Sequence, residues 1–402
     1  MTTKPSFILL FLLISFGSVT AVLFTPALPE IQSYFHISEG QAQLTVTLFL
    51  VGYALGQLLY GPLANRFGRK IALYCGITLE IVASLFCAIA KPTDAFWLLV
   101  LARFIMALGA SVGLKMSFTL VADSYSAEAS KKVIAHLMTA FAITPAIGVA
   151  IGGFLTQQLN WTAAFYFTSL YGVLLLFLVT KMTETTKVID HQALRFSVIF
   201  NKYHATLRCM ELPLAALLMG CGTSFVYVFA SLSPFIAMQT MGLNPTQYGL
   251  WNLLPTAGII AGSQLSAYFS HKLSAMKAIF LGITFILIGI IIMIGAFLNG
   301  IIQPISLFMP LVVIYIGLGF VYSNASSIAT ANISDKSNAS AMMSFINMSV
   351  TTFSVLILGC IHSASHFVLP IFYGILLIFS LVFVSPLIVK LKQKNIPNRR
   401  CL

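Results

Sequence analysis

The chain has 402 residues, of which 59% are hydrophobic and 8% charged, with a net charge of +12 and a mean hydropathy of +0.96. A soluble domain carries roughly 25% charged residues, so this composition excludes a water-facing enzyme, a nucleic-acid binder and a disordered scaffold. At about 20 apolar residues per crossing, it suffices for about a dozen membrane spans, which makes the chain an all-α polytopic integral membrane protein.

In chain order, hydrophobic runs separated by polar breaks predict spans at 6–28, 41–63, 71–90, 95–119, 133–156 and 162–180. The first run, Phe7 to Ala27, stands behind the single Lys4 and is too long for a signal-peptide core, so it reads as an uncleaved first span. A polar stretch follows, and a second set of spans is predicted at 212–238, 247–270, 275–298, 303–326, 338–361 and 367–389. The expected organisation is therefore a six-helix bundle over 1–181, a cytoplasmic linker over 182–211, and a second six-helix bundle over 212–402 with a short basic tail. Within the linker, Leu194, Phe196, Ile199 and Tyr203 alternate with Arg195, Lys202 and Arg208, a pattern that fits a surface-lying helix and a flexible basic tether equally well.

Placing the N-terminus inside puts every basic residue on the cytoplasmic side except Lys91, in an external loop, and Arg103 and Lys115, within a span. The positive-inside rule thus sets both termini in the cytoplasm. The excess positive charge then faces the anionic leaflet of the bilayer, and no nucleic-acid partner is required to explain it. The cysteines (Cys75, Cys87, Cys209, Cys221, Cys360, Cys401) fall in spans or at their cytoplasmic ends, with neither a disulfide framework nor zinc spacing. The histidines lie at span ends or in loops. With no nucleophile elbow, no zinc helix motif and no acidic cluster, neither an enzyme nor a metal or other cofactor is expected. Nothing resembles the repeated filter or charge ring of a channel.

The loop between the second and third spans reads Gly61-Pro62-Leu63-Ala64-Asn65-Arg66-Phe67-Gly68-Arg69-Lys70. Gly61 allows close helix packing, Gly68 a turn too tight for a Cβ, and the basic trio can hold helix C-termini or carboxylates. This run resembles the loop signature of the major facilitator superfamily. Arg103 to Ala110, closed by Asp123, resembles the family's span 4 motif. Pro145, Gly148, Gly152 and Gly153 resemble the span 5 motif of its exporters. Pro26-Ala27-Leu28-Pro29-Glu30-Ile31 and Ala339-Ser340-Ala341-Met342 resemble the Bcr/CflA-type branch of twelve-span drug:proton antiporters.

The resemblance implies two six-helix bundles working by alternating access in the inner membrane, export of a small molecule, the proton as coupling ion, and a monomer. It implies a cytoplasmic gating loop of Gly61, Asn65, Arg66, Gly68, Arg69, Lys70 and Asp123, and a span 5 hinge at Pro145, Gly148, Gly152 and Gly153. The chain also departs from the pattern. Asn65 and Val22 stand where relatives carry Asp, Met106 replaces the span 4 Gln, Thr162 replaces an Arg, and Lys115 is gained.

A charge at mid-membrane costs at least about 2.5–3.5 kcal/mol, so each one needs a reason. Arg103 is expected to act in coupling or substrate binding, against the alternative of a helix–helix strut, and Arg103→Ala to abolish transport with the protein still inserted. Lys115, about 18 Å further along the helix and rotated by about 120°, either snorkels to the interface or draws in an anionic substrate. Glu80 is the remaining mid-membrane carboxylate, a proton carrier or else a buried acid or salt-bridge partner, with Glu30 a weaker candidate. Ser224, Tyr227, Phe229, Tyr315, Tyr322 and Asn324 are candidate cavity-wall residues. The resemblance points to amphipathic drugs as cargo. The lost acids and the gained Lys115 tilt the expectation towards a neutral or anionic endogenous metabolite, with export of an anionic carboxylate siderophore as the alternative.

Overall fold

A computed structural model describes residues 5–186, 189–207, 210–330, 336–361 and 365–394. Lys4, Arg208, Cys209 and Cys401, all named in the sequence reading, lie outside them. Among the described residues the secondary structure is helical throughout, with no strand. In chain order the helices are α1 (Phe7–Val22), α2 (Leu28–Tyr34), α3 (Glu39–Phe67), α4 (Arg69–Ile89), α5 (Phe96–Ala110), α6 (Val112–Ser124), α7 (Ala127–Gln158), α8 (Ala163–Thr180) and α9 (Phe196–Leu207). They continue with α10 (Glu211–Phe235), α11 (Pro245–Trp251), α12 (Leu253–Phe269), α13 (Ala275–Leu298), α14 (Pro304–Thr330), α15 (Lys336–Gly359) and α16 (Val368–Lys394). Eleven helical stretches among the described residues are long and apolar enough to cross a membrane.

Local chemistry explains where the helices start and break. Ser38 and Gln41 form a reciprocal cap at the start of α3, and Asn244 and Gln247 do the same for α11. The first span is interrupted by a 3₁₀ turn, Thr25–Ala27. Pro26 has no N–H for the Val22 carbonyl, and the Thr25 hydroxyl donates to that carbonyl instead, at 2.8 Å. The fourth span breaks at Ser111 into α5 and α6. The seventh ends in a π turn, Ile236–Thr240, just after Pro234.

The predicted eighth span, 247–270, is divided at Asn252 into α11 and α12. The side-chain amide of Asn252 donates to the Tyr248 carbonyl at 2.8 Å, and α12 alone has 17 residues, the lower end of a crossing. Several other spans exceed their predicted limits. The third helix has 29 residues and the seventh 32, because their polar ends continue the helix beyond the apolar run that hydropathy detects. Of the two linker readings, residues 196–207 take the helical one, as α9.

The chain forms two compact units, Met1–Lys202 and Tyr203–Leu402. Both are built on the same glycine seams. In the first unit, Gly52 and Gly56 of α3 lie on the carbonyls of Phe104 and Leu108 of α5. In the second, Gly258 and Gly262 of α12 lie on the carbonyls of Val312 and Ile316 of α14. Paired small residues one turn apart are what brings membrane helices to backbone contact, and their recurrence marks an internal repeat.

Candidate functional site

Arg103 on α5 is fully buried. Its Nη1 donates to the Thr20 carbonyl at 3.0 Å, Nη2 to the Ala21 carbonyl at 3.3 Å and Nε to the Thr45 carbonyl at 3.3 Å. Thr20 and Ala21 are in the last turn of α1, where the helix break leaves carbonyls without their usual donors. The guanidinium thus caps the negative end of α1 inside the membrane and ties it to α3 and α5. Its faces are covered by Phe24 and Phe49, with the guanidinium carbon 3.9 and 4.1 Å from the ring centres. Met106, which replaces the family's Gln, presents its sulfur to the same Nη1 at 3.6 Å. Val22 is packed in the core.

Glu80 on α4 is also fully buried, and neither carboxyl oxygen has a hydrogen-bond partner among the described residues. A Cβ on Gly172 of α8 would come within 3.0 Å of its Oε2, and Gly109 of α5 rests on its backbone. One turn further on, Ser84 donates to the Phe165 carbonyl at 2.6 Å and pairs with Thr168 at 2.7 Å, closing the seam between α4 and α8.

Lys115 on α6 has a buried stem, as both of its readings allow. The residue is 7% exposed and its stem lies against α3, where a Cβ on Gly61 would stand 3.4 Å from Cε. Gly61 therefore makes room for the Lys115 side chain, and no backbone approaches it closely, contrary to the expectation for this glycine. Glu30 lies on α2, half-buried, with the Trp161 backbone N–H reaching its carboxylate. The Trp161 indole packs among Tyr34, Phe35 and Phe165.

The loop after α3 is a dense polar clasp. Arg69 Nε pairs with Asp123 at 2.9 Å, and its Nη1 donates to Asn65 Oδ1 at 2.8 Å and the Ala64 carbonyl at 3.0 Å. Asn65, neutral where relatives have Asp, is thus an acceptor for arginine. Gly68 has φ +100°, and a Cβ there would stand 2.7 Å from a carboxylate oxygen of Glu184. That carboxylate accepts the backbone N–H groups of Arg69 at 3.0 Å and Lys70 at 2.9 Å, which are the orphan donors at the start of α4. Partial burial raises the pKa of Glu184, but the N–H groups of Lys70, Thr186 and Arg69 with the Thr186 hydroxyl outweigh it and hold the carboxyl below its ordinary range. Lys70 Nζ caps the far end of α8, donating to the carbonyls of Thr180 and Met182 at 2.9 Å each. The linker continues the clasp: Asp190 N–H donates to the Asn65 carbonyl, Arg66 meets His191, and Thr185 donates to Asp123.

On α7, Gly148 lies against Val19 and Gly152 against the carbonyl of Leu23, so Pro145, Gly148, Gly152 and Gly153 belong to the stretch of α7 that faces the broken end of α1. In the second unit the candidate wall residues are mostly tied to neighbouring helices. Ser224 donates to Ser354 at 3.0 Å, Tyr322 to Thr223 at 3.1 Å, and Asn324 to Ser266 at 2.8 Å. Phe229 meets Phe308 edge-on, Tyr315 is buried, and Tyr227 is half-buried. The sequence reading missed two amides, Gln43 on α3 and Asn347 on α15, which are buried and whose side-chain oxygens have no hydrogen-bond partner among the described residues. An amide inside an apolar run was the available signal. Glu184 was missed as well, since a single acid in a polar linker carries no pattern.

Residues 8–359 match the profile of the Major Facilitator Superfamily. An uncharacterised transporter of Rickettsia bellii is 32% identical over 289 residues, which are 71% of this chain and 70% of that protein. A chloramphenicol resistance protein of Pseudomonas aeruginosa is 28% identical over 57% of this chain and 53% of its own length. Multidrug resistance protein D of Escherichia coli is 22% identical over 80% of this chain and 79% of its own length. The crystal structure of a D-xylose-proton symporter superposes with a TM-score of 0.77 at 14% identity, covering 95% of this chain and 96% of that one, a likeness of fold alone. From the start of α1 to the end of α15, then, the chain belongs to the Major Facilitator Superfamily, as a multi-pass membrane transporter and not an enzyme, with relatives named for bicyclomycin, chloramphenicol and multidrug resistance.

Proposed function

We propose that this transporter exports amphipathic small molecules across the inner membrane by alternating access, in exchange for protons, with both termini in the cytoplasm. The observation that carries this reading is the uncharged polar and aromatic character of the second unit around Ser224, Tyr315, Tyr322 and Asn347, taken with relatives named for drug resistance. Residues of this kind suit neutral or weakly charged amphipathic cargo, which needs apolar area and a few hydrogen-bond groups more than a counter-charge. The clasp of Arg69 with Asp123 and Asn65 supplies the set of polar contacts at one membrane face that an alternating gate would make and break. Expression in a drug-sensitive host tests the reading. Chloramphenicol resistance should rise severalfold, and inverted vesicles should lose a preset pH gradient when chloramphenicol is added. Unchanged susceptibility together with an unchanged gradient would overturn it.

A second reading, export of an anionic carboxylate siderophore, is favoured by one observation, the buried cation Lys115 on α6. A mass-spectrometric profile of spent medium from iron-limited deletion and complemented cells separates the two. A polycarboxylate that disappears with the gene and returns with it would favour the siderophore.

A further inference from the structure

Helix packing does not require an acid at position 80. In the first unit Gly109 rests on the Gly76 carbonyl and the backbone of Glu80, and in the second Gly317 rests on the Gly282 carbonyl and the backbone of Ile286. Both pairs, Gly76 with Glu80 and Gly282 with Ile286, are one helical turn apart. The second repeat therefore makes the same helix crossing with an isoleucine. The first repeat places there a fully buried carboxyl without a hydrogen-bond donor among the described residues, the kind of group that membrane proteins retain for function.

The groups around Glu80 are few. From α5 the charge of Arg103 reaches it, and on α4 itself Cys87 lies within electrostatic range. The third helix contributes the Tyr60 hydroxyl, over Gly76, and α6 contributes Val112. The eighth contributes Gly172, and the hydroxyl of neighbouring Tyr171 is engaged with the Leu12 carbonyl at 2.8 Å. A carboxylate buried here would have no donor among the described residues, whereas the protonated acid is neutral and tolerable. The cation needed to stabilise a carboxylate, should this seam rearrange, stands one helix away, held by three backbone carbonyls.

We propose that Glu80 is the proton-carrying group of this transporter, protonated in the conformation described here and ionised opposite Arg103 in the other. The proposal rests on the antiport reading above. In each cycle water on the outer side gives a proton to the Glu80 carboxylate, forming one O–H bond. That bond breaks towards the cytoplasm, where water takes the proton, and one substrate molecule leaves per proton admitted.

The test uses the full chain in proteoliposomes with chloramphenicol as probe. A one-unit pH gradient corresponds to about a tenfold concentration ratio, so one-for-one exchange should give about tenfold accumulation in the wild type. In Glu80→Gln and in Glu80→Ile, which copies Ile286, that accumulation should vanish while chloramphenicol exchange without a gradient persists. Accumulation unchanged in Glu80→Gln overturns the role of Glu80 and leaves antiport standing. Loss of both accumulation and exchange in both variants makes Glu80 structural and overturns the proposal. A wild type that exchanges chloramphenicol but ignores the gradient overturns antiport, and the proposal with it. A second readout needs no transport. N,N′-dicyclohexylcarbodiimide reacts with protonated carboxyls, so mass spectrometry should find an adduct on Glu80 in membranes, diminishing as pH rises. Absence of that adduct overturns the proposal even where chloramphenicol is not carried.

Discussion

Arg103 lies flat against Phe24, its guanidinium carbon 3.9 Å from the ring centre, while its nitrogens reach back to the two carbonyls that end α1. One side chain thus both seals and caps the broken first span. Loss of the guanidinium would strand the carbonyls of Thr20, Ala21 and Thr45 in the apolar interior, at about 1–3 kcal/mol for each buried group left unsatisfied. Arg103→Ala should therefore lower the thermal midpoint in detergent as well as abolish transport, and Arg103→Lys should be only partly better, since an ammonium lacks the planar fork. Fluorescence-detected size-exclusion melting curves give the measurement. A wild-type melting temperature in Arg103→Ala, with transport lost, would return the residue to a purely functional role.

The glycine seams make a sharper stability prediction. Gly262 sits on the carbonyl of Ile316, so a methyl group there must push α12 off α14, whereas a Cβ on Gly295 of α13 meets nothing within 4 Å. Overpacking of a close helix contact costs about 1–3 kcal/mol, while Gly→Ala on an open helix face gains up to about 1 kcal/mol. Gly262→Ala should lower the melting temperature and Gly295→Ala should hold or raise it. Equal melting temperatures would mean that the backbone contact is not tight.

These two cases show what hydropathy and motif spacing can and cannot reach. The spans, the clasp sequence 61–70 and the small-residue stretch of α7 were legible because they are repeated patterns in one dimension. The break at Asn252 was not, since an asparagine and a preceding tryptophan do not interrupt an apolar run on a hydropathy scale. The surroundings of Arg103, Glu80 and Lys115 were not legible either. Sequence placed all three in the membrane, but only packing shows that the first has a carbonyl or sulfur acceptor for every nitrogen, that the second has no hydrogen-bond donor among the described residues, and that the third lies against Gly61. The Glu80–Ile286 correspondence needed the seams of both units side by side.

Glu184 fastens the start of the linker to the start of α4, and its pH dependence has a definite sign. A carboxyl held below its ordinary range stabilises the fold fully above that range, near pH 4.3 for a glutamate, and loses the contribution as pH falls through the lowered value. Between pH 5 and pH 8, roughly, the Glu184 contribution to the clasp should therefore be constant. Hydrogen exchange at the amides of Arg69, Lys70 and Thr186 should be slow across the window in the wild type and severalfold faster in Glu184→Ala. Exchange that accelerates on going from pH 7 to pH 5, after correction for intrinsic rates, would contradict this assignment.

Lys115 separates the two cargo readings. A buried ammonium on α6, with Gly61 leaving room for its stem, can meet an anionic substrate as a counter-charge or serve as an internal tie between α6 and α3. In the first case Lys115→Gln removes attraction felt only by a charged cargo. The apparent KM for a carboxylate substrate should then rise by about tenfold, the factor for a lost interaction of 1.4 kcal/mol, while the KM for chloramphenicol stays unchanged. In the second case the substitution disturbs the α3–α6 contact itself, and both substrates should suffer alike with a lowered melting temperature. Gly61→Ala offers the companion measurement. Its Cβ would make only ordinary contact with the Lys115 stem at 3.4 Å, so the melting temperature and both KM values should stay unchanged, and a lowered melting temperature would mean that the α3–α6 contact is tighter than this distance.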